Sequence, residues 1–197
     1  AKLGEKKDIE AQRIGSSAFY SALLIGTIIA IFGLLFVDNI MVLLGATETV
    51  LPHARAYGNY IFIGAPIMAA SFVLNNILRS EGKAKFAMIG LTTGGILNIV
   101  LDPIFIHSFG LGIAGAAIAT VISQFVSAIW VLTFLTKKST LLKIEWRKIK
   151  FNFGICKKIA SLGISPFIMQ STESAIFIIF NSSLQRYGGD IYVAVMT

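Results

Sequence analysis

Long stretches without a charged residue dominate this 197-residue chain and restrict what it can fold into. The stretches are interrupted only by Asp102 and Glu173, and they comprise residues 14–37, 56–78, 86–136 and 159–185. Soluble domains carry about a quarter charged residues, whereas this chain has 14% charged and 55% hydrophobic residues. Because a helix needs about 20 apolar residues to cross a hydrocarbon core about 30 Å thick, the stretches predict membrane-spanning helices rather than a soluble core.

The stretch 86–136 is too long for a single crossing and is predicted to form two helices. The run HSFGLG at residues 107–112 indicates a turn between them, since it combines polar residues with two glycines. We therefore expect an all-α integral membrane protein with five transmembrane helices, at residues 14–37, 56–78, 86–107, 112–136 and 159–185. No short apolar region with a small-residue cleavage site leads the chain, so a cleavable signal peptide is not expected.

The basic residues alternate between the predicted loops. In chain order, the six segments outside the spans hold 4, 1, 3, 0, 8 and 1 Lys or Arg residues. Cytoplasmic loops of membrane proteins are enriched in Lys and Arg, so residues 1–13, 79–85 and 137–158 are expected to be cytoplasmic in a multi-pass protein of the cell membrane. The net charge of +7 is then a topology signal, and no nucleic-acid partner is expected.

The most basic segment, residues 137–158, alternates Lys and Arg with apolar side chains around Trp146. This pattern is equally typical of a segment lying on the anionic inner leaflet, with membrane lipid as its partner, and of a solvated linker. Because it is the longest predicted cytoplasmic connection, it is expected to separate residues 1–136, with four transmembrane helices, from residues 159–197, with one.

Three polar residues are predicted to meet inside the membrane. Asn98 and Asp102 are four residues apart and share one helix face. Counted from the outer helix ends at about 1.5 Å per residue, Asn98, Asp102 and Thr120 lie about 15, 9 and 12 Å deep on adjacent antiparallel helices. Their amide, carboxylate and hydroxyl oxygens favour a site for Na⁺ or a proton relay. The alternative is that Asp102 only marks the helix end, with the other two satisfied by packing.

A second intramembrane acid and two prolines complete the candidate functional residues. Glu173, in the polar run QSTES at residues 170–174, lies about 21 Å from the cytoplasmic end of its span. It is predicted to face a bundle interior or a water-filled cavity and to take part in ion coupling, the alternative being an interhelical hydrogen bond. Pro103 disfavours helical geometry at Asp102, so a kink or break there would free carbonyl groups for the site. Pro66 is predicted to kink the second span, either as a hinge or as a tolerated residue.

Catalytic and metal-binding motifs are missing from the sequence. It contains no phosphate-binding loop, no His/Cys cluster at metal-ligand spacing and no nucleophile–base pair. The single cysteine, Cys156, excludes an intramolecular disulfide bond. We therefore expect no enzyme activity, no cofactor and no metal ion other than Na⁺ at Asp102, Asn98 and Thr120.

Several motifs resemble the MATE (multidrug and toxin extrusion) family of transporters. The most specific are LNIVLDPIFI at residues 97–106, GLG at 110–112 and GAAIATVISQ at 115–124. Shorter ones are LLGA at 43–46, GAP at 64–66, LRSEG at 78–82, LGI at 162–164 with Glu173, and GGD at 188–190. The resemblance extends over essentially all 197 residues.

The resemblance implies twelve helices in two six-helix lobes, with the five spans here corresponding to helices three to seven. Residues 137–158 then become the inter-lobe linker, and the remaining helices of a longer chain are expected partners. In some members Asn98, Asp102 and Thr120 match an amino-lobe cation site that is completed by an acid on the first helix. In others Glu173 matches a carboxyl-lobe acid implicated in ion coupling, so the resemblance leaves open which lobe couples.

The expected function is export of drugs or other cationic or amphipathic small molecules in exchange for Na⁺ or H⁺, by alternating access. One alternative is a flippase of the same superfamily that moves lipid-linked precursors. The absence of Lys and Arg from the spans argues against this alternative. The other alternative is a truncated membrane fragment that does not transport.

Overall fold

The computed structural model describes residues 8–136 and 153–196. The segment predicted to lie on the membrane surface or to act as a linker falls largely outside these residues, as does the beginning of the predicted cytoplasmic segment 1–13. The described elements are α1 (Asp8–Leu35), α2 (Val37–Leu43), α3 (Leu51–Ser80), α4 (Ala84–Pro103), α5 (Gly112–Leu135) and α6 (Phe153–Met196), and a π-helix at Ile104–Ser108, the π segment, continues α4.

Five of the helices are long and apolar enough to cross a membrane, which confirms the predicted all-α, five-span architecture. Their apolar parts are Ile9–Leu35, Leu51–Ser80, Ala84–Ser108, Gly112–Leu135 and Ile159–Phe180. Large apolar side chains cover their outer faces, such as Phe72 at 73% and Ile99 at 72% exposed. Such faces require an apolar surrounding, because contiguous exposed apolar surface of this extent is rare on soluble proteins.

The fifth membrane-spanning helix, α6, is longer than predicted. The sequence predicts a span at residues 159–185 flanked by non-membrane segments, whereas α6 runs unbroken from Phe153 to Met196, and its apolar part ends at Phe180. Absence of charge marks the hydrocarbon-crossing part of a helix but not its ends, since polar residues continue a helix readily in water. The glycines at 188 and 189 each cost only about 1 kcal/mol in a helix interior, which does not terminate it.

The packed core lies at one end of the bundle. Leu74 and Leu78 of α3 and Val131 and Leu135 of α5 are fully buried, and Ala87 of α4 lies against them. These positions belong to the last turns of α3 and α5 and the first turn of α4, which meet at the end predicted to be cytoplasmic. The opposite end, which carries Asp102, contributes nothing to this cluster of buried hydrophobic residues.

Helices α1 and α3 approach each other closely where α3 contains a proline. A Cβ atom added to Gly26 of α1 would lie 2.6 Å from the Cα atom of Pro66. Two residues before Pro66 on α3, a Cβ atom at Gly64 would lie 2.5 Å from a methyl group of Val121 on α5. Helix α3 is therefore packed on both sides around Pro66, and it remains helical through the proline.

Three helix ends are closed by a glycine in the left-handed conformation. Gly45, Gly82 and Gly110 have φ values of 100°, 80° and 65°, which only glycine adopts readily. After Gly82 the amide of Lys83 donates to the carbonyl of Leu78 at 3.1 Å, the hydrogen bond of a Schellman motif. The GLG run that predicts a turn at 110–112 therefore forms one.

Candidate functional site

Asn98, Asp102 and Thr120 lie together between α4 and α5 and are called the polar cluster below. The Nδ2 atom of Asn98 donates to Oδ1 of Asp102 at 3.1 Å and, more weakly, to Oγ1 of Thr120 at 3.4 Å. The Thr120 hydroxyl in turn donates to the Ala116 carbonyl at 2.9 Å. All three side chains are half-buried, so the cluster is open on one side.

The i, i+4 spacing on α4 and the antiparallel course of α5 create this arrangement. Residues four apart on a helix stand one above the other, which puts Asn98 and Asp102 on the face toward α5. The intervening turn of residues 109–111 is short, so Thr120 returns to the depth of Asn98. The amide nitrogen of Asn98 thereby joins the carboxylate to the hydroxyl.

The helix changes type immediately after Pro103, one residue beyond Asp102. Pro103 has no N–H group, so the carbonyl of Ile99 lacks its usual donor four residues later. From Ile104 to Ser108 the chain is a π-helix, and the amide of Phe109 donates to the Ile104 carbonyl at 3.0 Å. The expected disturbance at Pro103 thus takes the form of a wider helical turn rather than a break. π-helices are rare, occur mostly as single turns within α-helices, and are frequent at functional sites.

Helix α5 contacts the π segment through a glycine. A Cβ atom at Gly115 would lie 2.7 Å from the carbonyl carbon of Phe105 and 2.8 Å from its oxygen. The backbones of the two elements are therefore in direct contact, which fixes the π segment, and with it Asp102, against α5.

The chemistry of the polar cluster is that of an oxygen-rich cation site. Carboxylate, hydroxyl and amide carbonyl groups are ligands suited to hard cations, and the Asp102 carboxylate is also able to carry a proton. Among the described residues, no group of three His, Cys, Asp or Glu side chains is placed to hold a metal ion. The cluster therefore offers one carboxylate with neutral oxygen partners.

The other predicted site residues lie apart from the polar cluster. Glu173 is exposed on α6, a helix that packs mainly against α1 among the described residues. Its neighbours Thr172 and Ser174 donate to the carbonyls of Ile168 and Gln170 at 2.9 and 3.0 Å, so these hydroxyls turn back onto the helix. The structure does not bring Glu173 to Asp102.

A cavity of about 310 Å³ lies between α3, α4 and α5 and contains none of the polar cluster's side chains in its lining. The lining combines the apolar side chains Met68, Phe72 and Leu91 with the polar side chains Ser71, Asn75, Asn76, Arg79 and Gln124. Sequence reasoning did not identify Ser71 and Gln124 as site residues. Gln124 follows Thr120 by four residues, and this spacing is a signal from which its place on the same helix face could have been found.

The comparisons with known proteins agree on one family. Residues 1–104 match the MatE family. The multidrug export protein MepA of Staphylococcus aureus (strain bovine RF122 / ET3-1) is 30% identical over 186 residues, which are 94% of this chain and 41% of that protein. The chain thus spans less than half the length of the curated relatives it matches, and these relatives are transporters, not enzymes.

Two solved structures of a multidrug resistance MATE family transporter of the MOP superfamily are also similar. The inward-facing conformation superposes with a TM-score of 0.91 at 32% identity, covering 99% of this chain and 44% of that one. The outward-facing conformation superposes with a TM-score of 0.85, at the same identity and coverage.

Proposed function

The chain belongs to the MatE family, and from this premise we propose that it forms part of a multidrug exporter driven by Na⁺ or H⁺. It is a multi-pass protein of the plasma membrane, with five helices able to span the bilayer. The proposed substrates are drugs and other cationic or amphipathic small molecules. The proposed partners are membrane lipid and the remaining helices of a longer chain.

The observation that carries the cation coupling is the polar cluster itself. An ionisable side chain within the hydrocarbon region is costly and is found where it serves transport or ion binding. Asp102 is held by Asn98, and both share the site with the hydroxyl of Thr120. A Na⁺ ion or a proton that binds there neutralises the carboxylate, which lowers the cost of a conformation that buries it more deeply.

Alternating access is the proposed mechanism because both end states exist among the similar structures. A ligand shifts a conformational equilibrium only by the difference in its affinity for the two states. Cation binding at the polar cluster and drug binding would favour opposite conformations, so that each releases the other. Pro66 and Pro103 are the proposed positions at which α3 and α4 bend during this change.

Glu173 is proposed as a second coupling acid. Its exposed position on α6 leaves the carboxylate accessible to a cavity between helices of the full-length protein.

The orientation proposed for the chain places residues 1–13, 79–85 and 137–158 in the cytoplasm, following the distribution of Lys and Arg. In the alternative of a lipid-precursor flippase, basic side chains within the spans would be expected to hold the phosphates.

Drug export by the full-length protein tests the proposal. The substitutions Asp102→Asn and Glu173→Gln remove a carboxylate and keep the shape of the side chain. If the carboxylate couples the cation to export, its loss should lower cation-driven dye efflux by about 5- to 150-fold. This is the effect of losing about 1–3 kcal/mol of coupling free energy. Membrane insertion should be unchanged, as judged by the amount of protein in the membrane fraction.

Asp38→Asn is the matched control, since Asp38 is an exposed acid paired with Arg55 outside the polar cluster. It should export at the normal rate, because exposed ion pairs contribute little to stability. A loss confined to one of the two test variants would identify the lobe that couples. Normal efflux by both test variants would contradict coupling through these acids.

A further inference from the structure

Helix α2 is a short element at the end of the first span. Its residues Val37–Leu43 extend only about 10 Å at helical rise, whereas a hydrocarbon core is about 30 Å thick. Phe36, with φ −118° and ψ 25°, separates it from α1. The chain from residue 39 to residue 47 contains no charged side chain, so α2 is neither a membrane span nor part of a charged loop.

One side of α2 packs against the first two turns of α3. A Cβ atom added to Gly58 would lie 2.6 Å from Cε of Met41 and 3.4 Å from Cγ2 of Val37. Beside this contact, Nε of Arg55 donates to Oδ1 of Asp38 at 2.5 Å, and Nη2 of the same guanidinium donates to Oδ2. The apolar contact and the two-pronged ion pair together hold α2 in one orientation on α3.

The contacts with α3 also indicate the depth of α2 in the membrane. Gly58 lies inside the uncharged stretch 56–78, three residues after Arg55, whose side chain is 52% exposed. Tyr57 and Tyr60, on either side of Gly58, are exposed as well, and tyrosine is enriched where a membrane meets water. Because Met41 packs on Gly58, α2 lies at the boundary between lipid headgroups and hydrocarbon.

The side of α2 that is not packed on α3 is apolar. Its exposed side chains, with those of the two residues that lead into α2, are called the α2 patch below and comprise Leu35, Phe36, Val42, Leu43 and Leu44. Leu43 is 69% and Leu35 is 70% exposed. Since Leu35 is the last residue of a membrane-spanning segment, the patch continues the apolar outer surface of α1.

Lipid fits the α2 patch better than another helix or water does. Close contacts in this bundle are made at glycines, as at Gly58 and Gly115, and interfaces between membrane helices favour such small residues. The patch has only branched aliphatic and aromatic side chains. Contiguous apolar surface is rare where it faces water, whereas fluid acyl chains cover it without requiring a complementary shape.

We propose that α2 is an interfacial anchor that inserts the α2 patch among the headgroups and upper acyl chains of the leaflet at the Asp38 end of the bundle. The Asp38–Arg55 pair then lies among the headgroups. Amphipathic helices bind in this region with their apolar face about 5–10 Å below the surface. In the orientation predicted from Lys and Arg this leaflet is the outer one. The anchor requires no bound cation, so it is independent of the proposed function.

Fluorescence quenching in the full-length protein tests the anchor. Leu43→Cys and Val42→Cys are made singly in a Cys156→Ser background, labelled with a nitrobenzoxadiazole group and reconstituted into phosphatidylcholine vesicles. The label is quenched separately by iodide in the water and by phosphatidylcholine that carries a nitroxide near the start or near the end of an acyl chain. The matched control is Glu48→Cys, at an exposed position of the loop between α2 and α3.

We expect the label at residue 43 to be quenched at least about twofold more strongly by the shallow nitroxide than by the deep one, because the patch lies near the leaflet surface. Iodide should quench it at least about twofold less than the label at residue 48, which faces water because it replaces a charged residue. The label at residue 42 should behave in the same way, and it replaces the first measurement if Leu43→Cys does not fold.

Three results would overturn the anchor. Iodide quenching equal to that at residue 48 would show that the patch faces water. Weak quenching by iodide and by both nitroxides would show that a further helix or a second copy of the chain covers it. Stronger quenching by the deep nitroxide would place it in the hydrocarbon core. None of these results bears on Asp102→Asn, so the anchor and the proposed function fail separately.

Discussion

Asn98 is the residue that joins the polar cluster. Its amide nitrogen donates to the carboxylate of Asp102 and to the hydroxyl of Thr120, so a change at either acceptor alters the hydrogen bonding of the other. An amide can also rotate to present its carbonyl oxygen to a cation. The same side chain therefore serves both states of a site that binds and releases a cation.

Replacing Thr120 tests the contribution of the hydroxyl. Thr120→Val keeps the shape and removes the hydroxyl oxygen from the proposed cation site, while the Nδ2 atom of Asn98 keeps its acceptor on Asp102. Because the cation loses one oxygen ligand, we expect the cation concentration for half-maximal export to rise by about 5- to 150-fold, the equivalent of about 1–3 kcal/mol. The measurement is drug export by the full-length protein as a function of Na⁺ concentration and of pH.

Thr120→Ser is the matched control, because it retains the hydroxyl and removes a methyl group. It should export with nearly unchanged cation dependence. A Thr120→Val variant as active as the Thr120→Ser variant would show that the hydroxyl is not a ligand of the cation.

For single residues, the parts of the site that could be predicted from the sequence are those that depend on spacing along one helix. The pair Asn98 and Asp102 follows from the i, i+4 rule, and the depth of Thr120 follows from counting residues on either side of the turn. The shared cavity of Ser71 and Gln124 could not be predicted in this way. It depends on how α3 and α5 pack around Gly64, and the order of residues on one helix does not determine the rotation of its neighbour.

Among the elements, α5 and the π segment are in direct backbone contact near the site. The rings of Phe105 and Phe109 pack in a tilted arrangement with their centroids 5.5 Å apart, which adds a side-chain contact along the wide turn. Sequence reasoning predicted a disturbance at Pro103 but not its form. A proline removes one donor, whereas the choice between a break and a π-helix is made by the packing around it.

Gly115→Ala tests this contact. The added methyl group would lie against the backbone of Phe105, which cannot rotate away, so we expect a loss of about 1–3 kcal/mol typical of overpacking. The loss should appear as a lower midpoint of thermal unfolding of the purified full-length protein, together with reduced cation-driven export, because Asp102 is displaced with the π segment.

Gly95→Ala on α4 is the control, since nothing lies within 4 Å of its added methyl group. There the higher helix propensity of alanine should leave stability unchanged or raise it by up to about 1 kcal/mol. Equal unfolding midpoints for the two variants would contradict the close contact at Gly115.

On the scale of the whole molecule, the bundle is asymmetric from end to end. The fully buried leucines and valine lie where α3 and α5 end, whereas the half-buried polar cluster lies toward the opposite end. The number of spans was predictable because hydrocarbon excludes charge along its full depth. The ends of the helices were not, because water places no comparable limit on a helix such as α6.

Labelling at the two ends of one helix tests the predicted orientation. Lys85→Cys and Ser108→Cys, each in a Cys156→Ser background, mark opposite ends of the span Ala84–Ser108. We expect an impermeant thiol reagent to modify Lys85→Cys only from the cytoplasm and Ser108→Cys only from outside, following the positive-inside rule. Modification of both from the same side would contradict a membrane crossing by this helix, and exchanged sides would contradict the orientation.

The π segment has a consequence for how this region tolerates insertions and deletions. Each of its turns closes over five residues where an α-helix uses four, so it holds one residue in excess. One residue corresponds to about 100° of rotation along a helix with 3.6 residues per turn. Deleting any single residue of Ile104–Ser108 would therefore restore an ordinary α-helix and turn the following loop by about that angle relative to Asp102. The site is thus sensitive to the number of residues here, independently of their chemistry.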